Sequence, residues 1–193
     1  NTAPIDSKAA VMKAFAETDE ETVTAVNRNT TALTDYTISY GNGQLNGFKV
    51  TMPVDGTLMI DIFAKNVDSV AAIYTVDEND QPGEMIGDPV NVPRAETTTD
   101  YYILSQRVKA GTYYVVIGTQ YNTGASAYVS ASYAPAGTTV TPKTGKNYYA
   151  SNQKGKTRYF KVKASSAGYI TIDFPYGSAG TKSTYKVKLM NSS

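Results

Sequence analysis

The reactive side chains of this sequence are carboxylates, hydroxyls and amines: its 193 residues include no His and no Cys. Without His the usual general base and the commonest transition-metal ligand are gone. Without Cys there is no thiol catalysis, zinc–thiolate site or disulfide. Paired carboxylates can run hydrolysis unaided, and acids cluster at Glu17, Asp19, Glu20, Glu21 and at Asp77, Glu78, Asp80. The second cluster runs into Pro82-Gly83, which marks a solvated turn instead of a catalytic pair. Calcium, if held, falls to the oxygens of Asp77, Asn79, Asp80 and Glu84, although the spacing is not that of an EF-hand loop. No catalytic residue and no other cofactor are expected.

Binding surfaces come next. Tyr pairs at 101–102, 113–114 and 148–149 must each turn one ring outward if they lie on strands. Tyr114 and Tyr159 are the outward candidates for stacking on a sugar. A lysine stripe formed by Lys161, Lys163, Lys186 and Lys188 beside Tyr159 gives a face that a protein or glycan surface would meet. Phosphate backbones would also suit such a stripe, but a docking or solubilising face is the preferred reading, and no nucleic acid is expected. Charge is segregated. Residues 1–100 carry 6 Lys/Arg against 16 Asp/Glu, a net of −10, and residues 101–193 carry 12 against one, a net of +11. Such asymmetry marks a partner surface or self-complementarity.

The elements that position these residues are strands. The chain has 17 Val, 10 Ile, 25 Thr and 16 Tyr against 5 Leu, a composition suited to pleated surfaces. No apolar run is long enough for a membrane helix. Residues 1–16 read as a linker, the alternative being a short helix capped by Asp6 or Ser7 with Ala9, Met12 and Ala16 on one side. Phe48, Val50 and Met52 alternate with polar neighbours, a turn follows at 53–56, and Leu58, Ile60 and Ile62 alternate again, which predicts a hairpin. Over 70–76 both alternating sets are apolar, leaving the inward face undetermined. Pro82, Pro89 and Pro93 predict a long irregular connection over 83–97. Strands follow over 101–108, 112–119 and around 127–131.

A shift of 112 residues lays 43–61 over 155–173 without a gap. Phe48 then meets Phe160, Val50 meets Val162, Gly56 meets Gly168 and Asp61 meets Asp173. Turn glycine and core positions agree together, which predicts a second, shorter copy of one module, with strands at 147–151, 157–163, 169–174 and 184–190.

Gly56–Ile62, Ala72–Asp77 before its polar turn, Ala110–Ile117 and the closing strand at 127–133 together resemble the bacterial pre-peptidase C-terminal domain. That resemblance implies a secreted β-sandwich of jelly-roll type that serves as an accessory module beside proteases and other surface proteins. Some members bind collagen or carbohydrate and some hold calcium. The reading is therefore all-β: a linker or short helix over 1–20, a jelly-roll or immunoglobulin-like antiparallel sandwich over 21–136, and a partial second β repeat over 137–193. The function expected is non-catalytic adhesion, spacing or substrate targeting at the cell surface or outside the cell. A carbohydrate-binding module is the alternative and a carboxylate hydrolase ranks third. Self-association through the second repeat is a further expectation.

Overall fold

The computed structural model describes residues 5, 7–18, 22–41, 44–119, 124–137, 139–151, 155–173 and 186–190. One helix, α1 (Lys8–Ala16), comes first. Ser7 caps it, its Oγ accepting from the Ala10 N–H at 3.4 Å. The linker expected over 1–16 thus gives way to a helix. Val11, Ala14 and Phe15 are its buried residues, not the Ala9, Met12 and Ala16 side. Nine residues form a helix poorly in water alone, so this one rests on what it packs against.

The strands are β1 (Val23–Thr24), β2 (Val26–Asn27), β3 (Tyr36–Tyr40), β4 (Leu45–Met52), β5 (Gly56–Ala64), β6 (Ser69–Val76), β7 (Pro82–Val92), β8 (Tyr102–Val108), β9 (Gly111–Gly118), β10 (Ala125–Pro135), β11 (Thr139–Val140) and β12 (Tyr159–Phe160). One sheet runs β1-β4-β9-β6-β7, and the other runs β2-β10-β5-β8 with β3 also on β10. The chain is an all-β sandwich. Its long strands pair antiparallel, while the short β1 and β2 join β4 and β10 in parallel. Phe48, Val50, Met52, Ile73, Val115 and Ile117 of the first sheet meet Leu58, Ile60, Ile62, Leu104, Ala127 and Val129 of the second in one buried cluster.

The alternation at 48–62 is present, but the hairpin is not. β4 pairs with β9 and β5 pairs with β10 and β8. The turn at 53–55 carries the chain across the sandwich, so two consecutive inward-facing strands come from opposite sheets, as in aligned sandwich packing. The undetermined face of 70–76 has a related cause. Ala71 and Ile73 face the sandwich interior, while Ala72 and Tyr74 pack with Val11, Ala14 and Phe15 of α1. A strand buried on both faces loses its alternation. The irregular connection expected over 83–97 is mostly β7, an edge strand whose register shifts opposite β6. Its prolines are tolerated because an edge strand has one side free of ladder bonds, and Gly87, at φ +72°, takes the left-handed conformation at the irregularity.

The second copy does not repeat the first. Of the strands expected beyond 146, only β12 forms among the described residues, paired in parallel with β11. Phe48 is buried at 2% exposure, whereas Phe160 is 41% exposed. Asp61 is buried, whereas Asp173 is exposed. The pattern is the same, but among the described residues the partners that bury β4 and β5, namely β9, β10 and β8, have no counterpart packed on 157–173.

Candidate binding face

Outward positions of the second sheet follow from its inward ones. Leu58, Ile60, Ile62 and Ala64 of β5 face the core, so Thr57, Met59, Asp61 and Phe63 face out. Register then sets Tyr128 beside Phe63, Ser130 beside Asp61 and Ser132 beside Met59 on β10. On the other flank Ile103 stands beside Asp61 and Ser105 beside Met59. One face thus carries an aromatic end and a polar middle.

At the aromatic end, Phe63 lies 5.3 Å from the Tyr101 ring and 6.0 Å from the Tyr128 ring, centroid to centroid. Tyr101 and Tyr128 each remain 37% exposed. The Tyr101 hydroxyl donates to Asp35 at 3.1 Å. Its phenol is held above the usual range by partial burial first and by that carboxylate second. Lys65 Nζ stands 3.6 Å from the Tyr128 ring centroid, a cation–π contact. Lys65 also lines an open cleft of about 440 Å³ with Asn66, Arg94, Ala95 and Glu96, within the size range of small-ligand sites. The wall of this cleft is fixed. Asn66 donates to Gly124 O and accepts from the Ser126 N–H. Asp68 accepts from the Arg94 N–H, and Asp100 accepts from the Glu96 and Thr97 N–H groups.

In the polar middle, Arg28 Nη1 lies 2.8 Å from Asp61 and donates to Ser132 Oγ at 3.0 Å. Burial works against the Arg28 charge, but the bonds and charges of Asp61 and, less strongly, of Tyr149 together outweigh it and raise its pKa. At Asp61 burial pushes the carboxyl up, and Arg28 pulls it only part of the way back. Residues 147–151 lie over this region. Asn29 exchanges two hydrogen bonds with the Tyr149 backbone, at 2.9 and 2.7 Å. Thr57 Oγ1 donates to Ser151 Oγ at 2.8 Å, and the Arg28 guanidinium stands 4.6 Å from the Tyr149 ring centroid.

The residues singled out in the sequence are placed elsewhere. Tyr114 does point away from the sandwich core, but it is fully buried and not available to a ligand. Helix α1 covers it: Phe15 meets its ring edge-on at 4.9 Å and Thr18 Oγ1 lies 3.2 Å from its hydroxyl. Gly47 makes room, since a Cβ there would stand 2.6 Å from the Tyr114 ring. Tyr159 is exposed, as are Lys161, Lys163, Lys186 and Lys188. None of these lysines lies on a strand, so no sheet aligns them as a stripe. Asp77 Oδ1 accepts from the Asn79 and Gln81 N–H groups, closing its turn. Asp80 pairs with Lys49 at 2.7 Å, and the Glu84 N–H donates to Thr75 Oγ1. Among the described residues no three acidic, His or Cys side chains converge as metal ligands would.

Phe63, Tyr101, Tyr128, Lys65 and Arg94 escaped sequence reasoning. Tyr101 was visible in a Tyr pair and Tyr128 alternates with core positions. Their convergence depends on which strands neighbour β5, and that is a property of topology.

No family model matches the chain, and no curated protein matches it. Among solved structures, the chain is similar to the pre-peptidase C-terminal domain of collagenase from Bacillus anthracis, at 11% identity over 58% of this chain and 95% of that one, TM-score 0.37. It is also similar to tripeptidyl peptidase 2, at 8% identity over 63% of this chain and 12% of that one, TM-score 0.46. A third is the carbohydrate-binding module CBM6cm-2 of Cellvibrio mixtus lichenase 5A, solved with cellotriose, at 10% identity over 55% and 90%, TM-score 0.31. The family that the sequence resembles is therefore among the similar structures, while the architecture itself rests on the strand order and register given above. Among the described residues no helix is long and apolar enough to cross a membrane.

Proposed function

We propose that this chain is a non-catalytic accessory module working outside the cell, and that it holds a glycan on the aromatic end of its second sheet. The observation that carries the reading is the contact trio Phe63, Tyr101 and Tyr128, with two rings still open to solvent and charged groups at its rim. Aromatic faces take the C–H faces of a sugar ring, and a few placed polar groups fix its orientation. Asp35, Lys65, Arg94 and Glu96 supply acceptors and donors for hydroxyls. The carboxylates support a non-catalytic role, because several are committed to structure. Asp55 accepts from Lys109 Nζ and the Ala110 N–H, Asp77 and Asp100 close turns, and Asp61 pairs with Arg28.

The test is calorimetric titration of the full chain with neutral and uronic-acid oligosaccharides, beside Tyr101→Ala and Tyr128→Ala. Binding that falls at least tenfold in either variant, at unchanged melting temperature, is the expected result. Binding that survives both substitutions, or no binding to any glycan, overturns the reading.

A further inference from the structure

We propose that residues 147–151, backed by Arg158, form a displaceable cover over the continuation of the binding face, so that the chain itself limits the length of glycan it accepts. The inference rests on the reading of the aromatic end as a glycan platform and adds its regulation.

The face is continuous. Phe63, Asp61, Met59 and Thr57 succeed one another outward along β5, and Tyr128, Ser130 and Ser132 do so along β10. Two residues of strand advance about 7 Å, somewhat more than the length of one pyranose ring. Accessibility breaks sharply along this line. Tyr128 is exposed, while its next outward neighbours Ser130 and Ser132 and the facing Asp61 and Met59 are all buried. Arg28 stands against Asp61 and Ser132, and residues 147–151 stand in turn over Arg28 and Thr57. Residues 147–151 belong to no strand, and the two hydrogen bonds to Asn29, the one to Thr57 and the Arg28–Tyr149 contact are their described ties to the sandwich. Arg158 closes the far side, donating to Pro135 O and Ser151 O.

The cover also fits poorly. Among the described residues, Ser130 Oγ and the Nε and Nη1 groups of Arg158 are buried without hydrogen-bond partners. Native interiors rarely leave such groups unpaired, and each is a cost that a better-matched occupant would remove. Beneath the cover lie a hydroxyl acceptor and donor at Ser130, a second at Ser132, and the Arg28–Asp61 pair. These are the groups a further hydroxyl-bearing sugar ring would meet after the one on the aromatic end. A ligand that reaches only the aromatic rings leaves the cover closed. A longer one must displace it, and its apparent affinity is reduced by the fraction of molecules in which the cover is open.

Two variants loosen the cover without touching the platform: Tyr149→Ala removes the ring over Arg28, and Asn29→Ala removes both backbone ties. Each is titrated as full chain with cello- and malto-oligosaccharides of two and six units, beside Tyr101→Ala. The expected result is at least fivefold tighter six-unit binding in both variants with two-unit binding unchanged, and loss of both ligands in Tyr101→Ala. A ligand-free arm follows exchange of the Tyr149 amide hydrogen, expected to be at least a hundredfold faster than the amides of β5. Six-unit binding unchanged or weakened in both variants, while Tyr101→Ala still abolishes binding, overturns the cover and leaves the platform standing. Tyr149 exchange as slow as that of β5 also overturns it, since the segment would then open only with the whole fold. Absence of binding to every form removes the platform reading and this inference with it.

Discussion

Arg28 and Asp61 lose their water together beneath residues 147–151, with side-chain exposures of 11% and 6%. Their shifts pull in opposite senses: the pair favours the charge on Arg28, while burial favours the neutral form of Asp61 more than Arg28 opposes it. Geometry decides for an ionised pair, because the guanidinium at 2.8 Å also donates to Ser132 and faces the Tyr149 ring. Removing one partner strands the other, so Arg28→Ala should cost about 3–5 kcal/mol in urea unfolding, whereas Arg28→Met with Asp61→Leu should cost clearly less. A double variant no better than Arg28→Ala would show that the pair is not what the single substitution breaks. Tyr114 gives a pH dependence. Burial under α1 pushes its phenol up to about 12, against 10.0 for the free side chain, and the Thr18 bond only partly offsets this. A folded pKa above the unfolded one means stability that is complete below pH 10 and lost as the pH rises towards about 12. Across that window Tyr114→Phe should lose about 2–3 kcal/mol less than the parent chain. Tyr40 and Tyr113 are also raised by burial, but they titrate in both proteins, so the difference isolates Tyr114. Parallel alkaline unfolding curves for the two proteins would refute the assignment.

At the scale of elements, a pattern shared by two segments buries side chains only where neighbouring strands complete it. Phe48 lies between β9 and the core, and Phe48→Ala should cost about 3–5 kcal/mol, as buried aromatics do. Among the described residues Phe160 pairs only with β11, and it stays exposed, so Phe160→Ala should stay within about 0.5 kcal/mol of the parent chain. Equal losses from the two, read by urea unfolding, would restore the second copy as a folded module. The contrast also marks what the sequence made legible. Inward positions of β4, β5, β9 and β10 follow from alternation, because each strand has one face on the sandwich core. Pairing partners do not, since Met52 to Leu58 reads alike whether the turn makes a hairpin or crosses between sheets. Tyr114 was read correctly as pointing away from the core and wrongly as exposed, because the layer above it comes from α1. That helix has weak intrinsic support and holds through Phe15, Val11 and Ala14 docking on the sheet. The aromatic trio needed β8, β5 and β10 to be neighbours, a relation between segments dozens of residues apart.

Across the whole molecule, opposite charges sit in two regions: residues 17–136 carry a net of −9 and residues 137–193 a net of +9. That division suggests electrostatic docking of the basic region on the acidic one. The ion pairs found among the described residues, Lys13–Glu17, Arg28–Asp61, Lys49–Asp80 and Lys109–Asp55, all lie before residue 137. Among the described residues, the ties to the later region are neutral hydrogen bonds, the Arg28–Tyr149 contact and the Arg158 bond to Pro135 O. Lys161, Lys163, Lys186 and Lys188 stand in solvent beside exposed Val162, Ile170, Ile172, Val187 and Leu189. Exposed apolar side chains of this kind favour association, while the lysines neighbouring them in the chain repel the same region of another copy. Salt separates these two forces. Screening shortens from about 10 Å at 0.1 M to about 3 Å at 1 M, which removes lysine repulsion and leaves apolar burial intact. Self-association of the full chain through this region should therefore strengthen as NaCl rises from about 0.1 M to about 1 M, seen as a growing dimer fraction in sedimentation velocity. Ile170→Lys with Ile172→Lys should abolish it. If acidic and basic regions of different copies attracted one another instead, dimers would dominate at low salt and dissociate as salt is added, and the double variant would bind more tightly.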